Sequence, residues 1–477
     1  MRNPWRKIGM LAGLGLAAVT AAAQGVPGLP ALPAPPPLAQ VGGRELAGGV
    51  ARGAVSARPL RLTLGQAIAR GLQANLAALL GASNVREAAA THLAALSALL
   101  PQVQASAYDL RQKISLATIG LNFPGVPLIV GPFNVADARA YLHENLINLS
   151  AIQDFRAANA GQKSVRLSYA QIRNLVVEAV SHQYLLTLAD ASQVVAIRAQ
   201  VKTARTARQQ ARDRLRAGTI SRLDLVRAEV ELASERQRLI TARNALAQQK
   251  LALARAIGLP QAQAFRLVSA LPNTPAPKFT QAQVVRAAWA QRPDLQAALA
   301  LVRSDQLQVA AAADQRWPRL SLDANYGTIG HTFTRNRPTY AVEGELQMPI
   351  FTGGRIRAQV AVARASLRAA EDRLADLRAQ AAQQARDAWL NVRALRRQVK
   401  VARQSRGLAR QELTLARDRF RAGLGDNLEE IQAQQQLALA NHNYIQSLYV
   451  FNLAKISLAT ALGVAAVQWR QYLEGTH

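Results

Sequence analysis

Twice in this chain a helix-like run breaks at a glycine and restarts: RDRLRAGTISRLDLV from Arg212 and RDRFRAGLGDNLEEI from Arg417. The two phrases lie 205 residues apart, and the offset holds without a gap from Ala211/Ala416 to Gly258/Gly463, with about 17 of 48 pairs identical. A chain that repeats itself over such a length builds two like units that bury their apolar faces against each other.

Each copy runs in the same order. A short helix comes first, over 63–100 and 280–317, with Thr63 and Thr280 as N-caps and a proline, Pro101 or Pro318, as the stop. LTLGQAIARGLQANL from Leu62 parallels FTQAQVVRAAWAQRPDL from Phe279, with two extra residues in the second. Two strand-like segments follow, at about 319–327 and 339–349 in copy two. RLSLDANYG alternates Leu320, Leu322, Ala324 and Tyr326 against Ser321, Asp323 and Asn325. YAVEGELQM sets Tyr340, Val342, Leu346 and Met348 against Glu343, Glu345 and Gln347. Period-2 alternation of this kind suits strands between lipid and a wet lumen, or a half-buried soluble hairpin. Copy one offers strands at about 102–113 and 138–147, joined by a long apolar loop with trapped Pro and Gly from Gly120.

Long helices come next, over 153–217 and 354–422. In the second, apolar residues step by four and three from Ile356 to Phe420, interrupted only at Gln384 and Arg406. A 3.5 period predicts left-handed coiled-coil packing. At 1.5 Å per residue such a helix is a rod of about 100 Å. Gly218 and Gly423 sit where a helix C-terminus wants positive φ, and Ser221 and Asp426 are N-caps for return helices over 221–257 and 426–462. The repeated phrase is therefore a helical hairpin tip, present twice.

Composition narrows the chemistry. The chain has 477 residues and no cysteine, which removes disulfides, thiolate metal sites and thiol nucleophiles. The six histidines show no ligand spacing, and there is no P-loop or G-x-S-x-G, so neither cofactor, metal nor enzymatic activity is expected. The net charge of +29 reads as solvated arginine-rich helix faces, and aromatics at 5% leave little for base stacking, so nucleic acid is not an expected partner. The helix over 355–421 carries 17 basic and 6 acidic residues, a field that favours anions if it lines a passage. Residues 1–23 read as a secretory signal with a basic start, a short apolar stretch and Ala21-Ala22-Ala23 as the cleavage region. Residues 24–60 read as a Pro/Gly/Ala-rich lead-in that cannot pack a core, 61–270 as the first repeat, 271–279 as a linker, 280–466 as the second repeat and 467–477 as a tail.

The order helix, strand, strand, long helix, tip, helix, performed twice behind an export signal, resembles the TolC family of outer-membrane efflux proteins over residues 62–462. The residues that carry the likeness are PIFTGGRIRAQVAVARA from Pro349, the two RAG tips, LLPQVQASAYD from Leu99 and WPRLSLDANYG from Trp317. The resemblance implies a mainly α protein with a transmembrane β-barrel part. It implies a homotrimer whose twelve strands close one barrel in outer-membrane lipid, continued by an α-helical barrel into the periplasm, with a membrane-fusion adaptor and an inner-membrane pump as partners. Four strands alone cannot close a barrel, and open edges are not tolerated in lipid, so the arithmetic agrees. An exported coiled-coil surface protein is the alternative class.

The same likeness assigns site residues. Pro349, Phe351, Gly353 and Gly354 form the strand–helix junction, which copy one replaces with NLINLSAIQDF. Ala217, Gly218, Thr219, Ala422, Gly423 and Leu424 form adaptor-docking tips. Asp224 and Glu429, with Arg227 and Gln432, hold the positions of a periplasmic gate, where Arg227 or Arg222 is the expected partner of Glu429. The competing reading of Asp224 and Glu429 is that they are helix-capping acids.

Overall fold

The computed structural model describes residues 43–120, 127–422, 424 and 427–475. The signal, most of the lead-in, and the expected turn residues Gly423 and Asp426 lie outside the described residues. The elements in chain order are α1 (Gly43–Leu46), β1 (Leu60–Leu62), α2 (Leu64–Ala74), α3 (Leu76–Ser97), β2 (Gln102–Ser115), β3 (Ile129–Ile147), α4 (Leu149–Arg216), α5 (Arg222–Ala256) and β4 (Phe265–Leu267). The second repeat follows with α6 (Gln281–Gln291), α7 (Pro293–Asp314), β5 (Arg319–Gly330), β6 (Asn336–Gln347), α8 (Arg355–Arg421), α9 (Asn427–Ala461) and α10 (Ala465–Leu473).

The heptad seam of α8 holds along its length. Every seam residue from Ile356 to Phe420 is buried or half-buried. Its two interruptions have local causes. At Gln384 the burial passes to Ala385, while the Gln384 carboxamide accepts from Arg292 Nη1 at 2.7 Å. At Arg406 the guanidinium lies 4.1 Å over the Tyr444 ring of α9, so an aromatic face covers the charged position.

Three expectations need correction. The short helix of each repeat is two helices. The chain turns at Asn75, fully buried, whose Oδ1 accepts from Ala77 N (3.0 Å) and whose Nδ2 donates to Leu46 O (2.7 Å) and Ala256 O (3.2 Å). In the second repeat the turn is Arg292, held extended because Pro293 follows it. The paired helices are 11 and 22 residues long in both repeats, so no insertion separates them.

Second, β3 begins at Ile129, well inside the expected loop. Ser115 pairs with Ile129 and Ile114 with Val130, and a register shift between Gln112 and Ile114 lets the ladder absorb Gly131-Pro132. Third, the lead-in packs from residue 43 onward. Val50 N donates to Ala74 O and Arg52 N to Gly258 O, while β1 pairs in parallel with β4 and so clasps the start of the first repeat to its end.

The larger sheet has the order β2-β3-β5-β6, all antiparallel, with β2 and β6 as open edges. Below it the helices lie side by side. α4 packs on α3, α5, α7 and α9, and α8 packs on α6, α7 and α9. The main core sits at the level of the helix turns, gathering Val176, Val177, Val180 and Tyr184 of α4 with Ile456 and Leu458 of α9.

Candidate functional site: a strand wall, its junction and two hairpin tips

The register divides the strand residues by face. Leu320 pairs with Leu346, Ala324 with Val342 and Tyr326 with Tyr340 on one side; Ser321 pairs with Glu345 and Asp323 with Glu343 on the other. β3 extends both faces, with Leu142 beside Ala324 and His143 beside Asp323. The polar face is internally bonded. His143 Nδ1 meets Asp323 Oδ1 at 2.8 Å, and Arg139 reaches Asp137, Asn325 and, at 2.9 Å, Thr339 Oγ1. Arg139 crosses above Gly327, where a Cβ would stand 2.7 Å from the Arg139 Cα. Glycine at 327 is what lets the arginine span three strands.

At the junction, Gly353 (φ 58°) and Gly354 (φ 88°) turn the chain from β6 into α8, and Gly354 caps the helix without a side chain. Ile350 and Phe351 are 96% and 90% exposed, so the described residues leave both side chains uncovered in the loop that Pro349 opens. Copy one solves the same problem with Asn148, whose Oδ1 accepts from Ala151 N at 3.0 Å.

Among the described residues, the two tips share a closing hydrogen bond, made by Thr219 in the first and Leu424 in the second. Gly218 (φ 72°) and Thr219 donate their N–H groups to Leu215 O and Arg214 O, and Leu424 N donates to Arg419 O. The first tip is a helix end in the left-handed cap pattern, and Gly218 has open space around it. Ala217, Thr219, Ala422 and Leu424 are all exposed, Leu424 by 75%.

Of the four gate positions, Asp224 and Arg227 meet within one helix, while Glu429 pairs elsewhere. Asp224 closes a capping box, accepting from Ser221 N (3.1 Å) and Ser221 Oγ (2.7 Å), and sits 3.7 Å from Arg227 Nη1. Glu429 pairs with Arg419 of its own hairpin at 3.4 Å, not with Arg227 or Arg222. Gln432 is exposed. The link between the hairpins is carried by residues that the sequence reading missed. The Arg214 guanidinium lies 4.2 Å over the Phe420 ring, its Nη1 donates to Phe420 O at 3.4 Å, and Gln435 Nε2 donates to Glu231 at 3.2 Å. One signal was available: where the first phrase has Leu215, the second has Phe420. Glu430, buried beside Glu429, accepts from Arg417 (3.1 Å) and Gln434 (3.0 Å).

Among the described residues, no cluster of three or more potential metal ligands exists, and no helix is long and apolar enough to cross a membrane. An alternating sheet that ends in long paired helices, repeated in tandem, is the build of TolC-type outer-membrane channels. The fold matches the CmeC outer membrane channel of Campylobacter jejuni with a TM-score of 0.73 and 19% identity, covering 84% of this chain and 86% of that one. The outer membrane efflux protein family model matches residues 72–259 and 284–464, and the chain belongs to that family, whose place is the outer membrane.

Two curated relatives are outer membrane protein OprJ of Pseudomonas aeruginosa, 28% identical over 177 residues, and pyoverdine export outer membrane protein OpmQ of Pseudomonas putida, 25% identical over 302 residues. The alignments cover 36% and 62% of this chain, and 37% and 63% of those proteins, less than two thirds of either relative.

Proposed function

We propose that the chain is the outer-membrane exit duct of a tripartite efflux or secretion system, working as a homotrimer that passes solutes from the periplasm outward. The observation that carries this reading is the pair of open sheet edges. β2 and β6 present unpaired backbone groups beside an apolar strand face, which lipid does not tolerate; pairing β6 of one copy with β2 of the next closes a twelve-stranded wall. The helices supply matching edges. Exposed apolar residues of α5 and α8 fall pairwise at equal residue distances from Gly218 and Gly423: Val226 with Leu415, Ile240 with Val401, and Leu251 with Leu390. Leu320, Leu322, Tyr326, Val342, Leu346 and Met348 then face lipid, and Asp323, Asn325, Glu343 and Glu345 face the duct.

In this reading the tips, from Ala217 to Thr219 and from Ala422 to Leu424, meet an adaptor hairpin and hand cargo on from an inner-membrane pump. The gate is the contact of the two tips, Arg214 with Phe420, more than the carboxylates. Thr219→Arg keeps the turn and weakens adaptor pull-down. The test of the duct itself is planar-bilayer conductance of the purified full chain together with its mass in detergent. Trimer-sized particles with discrete conductance steps are expected. A non-conducting monomer extracted without detergent would sink the reading in favour of a coiled-coil surface protein.

A further inference from the structure

We propose that the cavity under the strand–helix junction binds a phosphoethanolamine group, with two arginines on its phosphate and two aspartates on its ammonium. The cavity measures about 430 Å³ and lies where α4, α7 and α8 meet β5 and β6. Its size is that of a small-molecule site. Four of its lining side chains carry charge: Arg319, Arg355, Asp154 and Asp314. Among the described residues, no ion pair joins any of the four to any other group.

The arginines are held by neutral partners only. Arg319 donates to the Gln347 Oε1 at 2.6 Å through Nε and again through Nη2. Arg355 Nη1 donates to Gln315 Oε1 at 2.9 Å and Gln359 Oε1 at 3.1 Å. Carboxamides orient a guanidinium without neutralising it, so both keep donors for an anion. No hydrogen bond reaches the Asp154 carboxylate among the described residues, and burial pushes its pKa up with no cation to offset it. An ammonium placed there supplies the missing charge.

The mixed charge selects the ligand class. A plain anion leaves the aspartates unpaired, and a plain cation leaves the arginines so. The N-termini of α4 and α8 also border the cavity and favour the phosphate end. The group has two sources. It is the headgroup of a phospholipid at the inner rim of the barrel, where Trp317 and Met348 border the cavity and exposed Ile350 and Phe351 adjoin it; or it belongs to a soluble solute in the duct. The lipid source rests on the outer-membrane reading above.

The test is native mass spectrometry of the whole protein in detergent with four probes: dioleoyl phosphatidylethanolamine, the phosphatidylglycerol and phosphatidylcholine of the same chains, and soluble phosphoethanolamine. We expect the ethanolamine lipid to be retained about tenfold more than either other lipid, the value of one charge-assisted hydrogen bond. Asp154→Asn should remove the preference over phosphatidylglycerol, and Arg319→Gln should lower retention of both lipids. Retention of the lipid with no binding of phosphoethanolamine assigns the membrane source; equal binding of the soluble probe assigns the duct. Equal retention of all three lipids by the wild type, which needs no variant to fold, overturns the site. Conductance of the same wild-type preparation separates the two readings, because loss of the site leaves the duct standing.

Discussion

The belt where the helices turn and the tips where they end are built from the same device and held to very different degrees. In both places a glycine at positive φ stops a long helix: Gly258 and Gly463 at the belt, Gly218 at the tip. At Gly218 a Cβ meets nothing within 4 Å, whereas at Gly258 it would stand 2.3 Å from the Ala74 Cβ and 2.7 Å from Val50 O. At Gly463 it would stand 2.7 Å from the Arg292 Cα. The belt also buries Asn75, Arg292 and Lys455 with their hydrogen bonds made, while the tips rely on ion pairs such as Arg419–Glu429 that water reaches. A locked belt above a weakly tied end is what a duct with a movable mouth requires.

Substituting the glycines tests the difference directly. Gly258→Ala combines left-handed strain with a backbone clash and should cost about 2–5 kcal/mol, and Gly463→Ala a similar amount. Gly218→Ala carries the strain alone, about 1–2 kcal/mol. Melting temperatures in detergent check the order. Equal losses at 218 and 258 would show that the belt is no more tightly packed than the tip.

The strands repeat the contrast on two faces of one element. Leu322→Arg places a charge on the face read as lipid-exposed, at a cost of roughly 2–4 kcal/mol at mid-bilayer, and should block assembly. Asn325→Arg, on the polar face, should be tolerated. Heat-modifiable trimer on a gel checks both, and the reverse outcome would overturn the assignment of faces.

Much of this was legible because periodicity reports burial. The seam of α8 and the alternation of β5 and β6 could be read directly, since each position's apolar or polar character is what places it. What could not be read depended on distant partners. Asn75 turns the chain because Leu46 O and Ala256 O receive its amide, and neither is near in sequence. A Pro/Gly/Ala-rich lead-in offers little to pack, yet from residue 43 backbone hydrogen bonds to Ala74 and Gly258 seat it, with Leu46 against the main core. In β3, Gly131-Pro132 signals a break in the sequence, and the partner strand's register shift accommodates it. At the tips the sequence located the turns but not their contacts. The acids at 224 and 429 carried the family signal, while the inter-hairpin contact fell to Arg214 and Phe420.

Lys455 reports how closed the belt is. It is fully buried, donates to Thr274 O (3.1 Å) and Thr274 Oγ1 (2.9 Å), lies 5.0 Å over the Phe451 ring, and has no carboxylate partner among the described residues. Desolvation lowers its pKa to about 8. Below about pH 8 both the folded and unfolded chains carry this proton, and the cost of burying the charge is fully present. Between about 8 and the free-lysine value of 10.5 the folded chain has lost the proton and the unfolded chain keeps it, so stability rises with pH. The gain approaches about 3 kcal/mol across that window. Thermal melts from pH 7 to 9.5 should climb for the wild type relative to Lys455→Met; parallel curves would show that the amine is solvated and the belt less closed than it stands.

The smallest energies lie at the tips. The Arg419–Glu429 pair is half-exposed and worth about 0.2–1 kcal/mol. It ties one hairpin to itself, so Glu429→Ala should leave single-channel open probability near that of wild type. The Arg214–Phe420 contact joins the two hairpins through a ring face and a carbonyl, at about 0.5–1 kcal/mol for an exposed pair. Phe420→Leu restores the residue that the first repeat carries at this position and removes the ring. If the tips hold the mouth shut through this contact, open probability should rise by about two- to fivefold, the factor those energies convert to, with no change in melting temperature beyond a degree or two. Arg214→Ala should do the same, and the double variant should add little, because both changes remove one contact. A rise for Glu429→Ala with none for Phe420→Leu would return the gate to the carboxylates that the sequence first suggested.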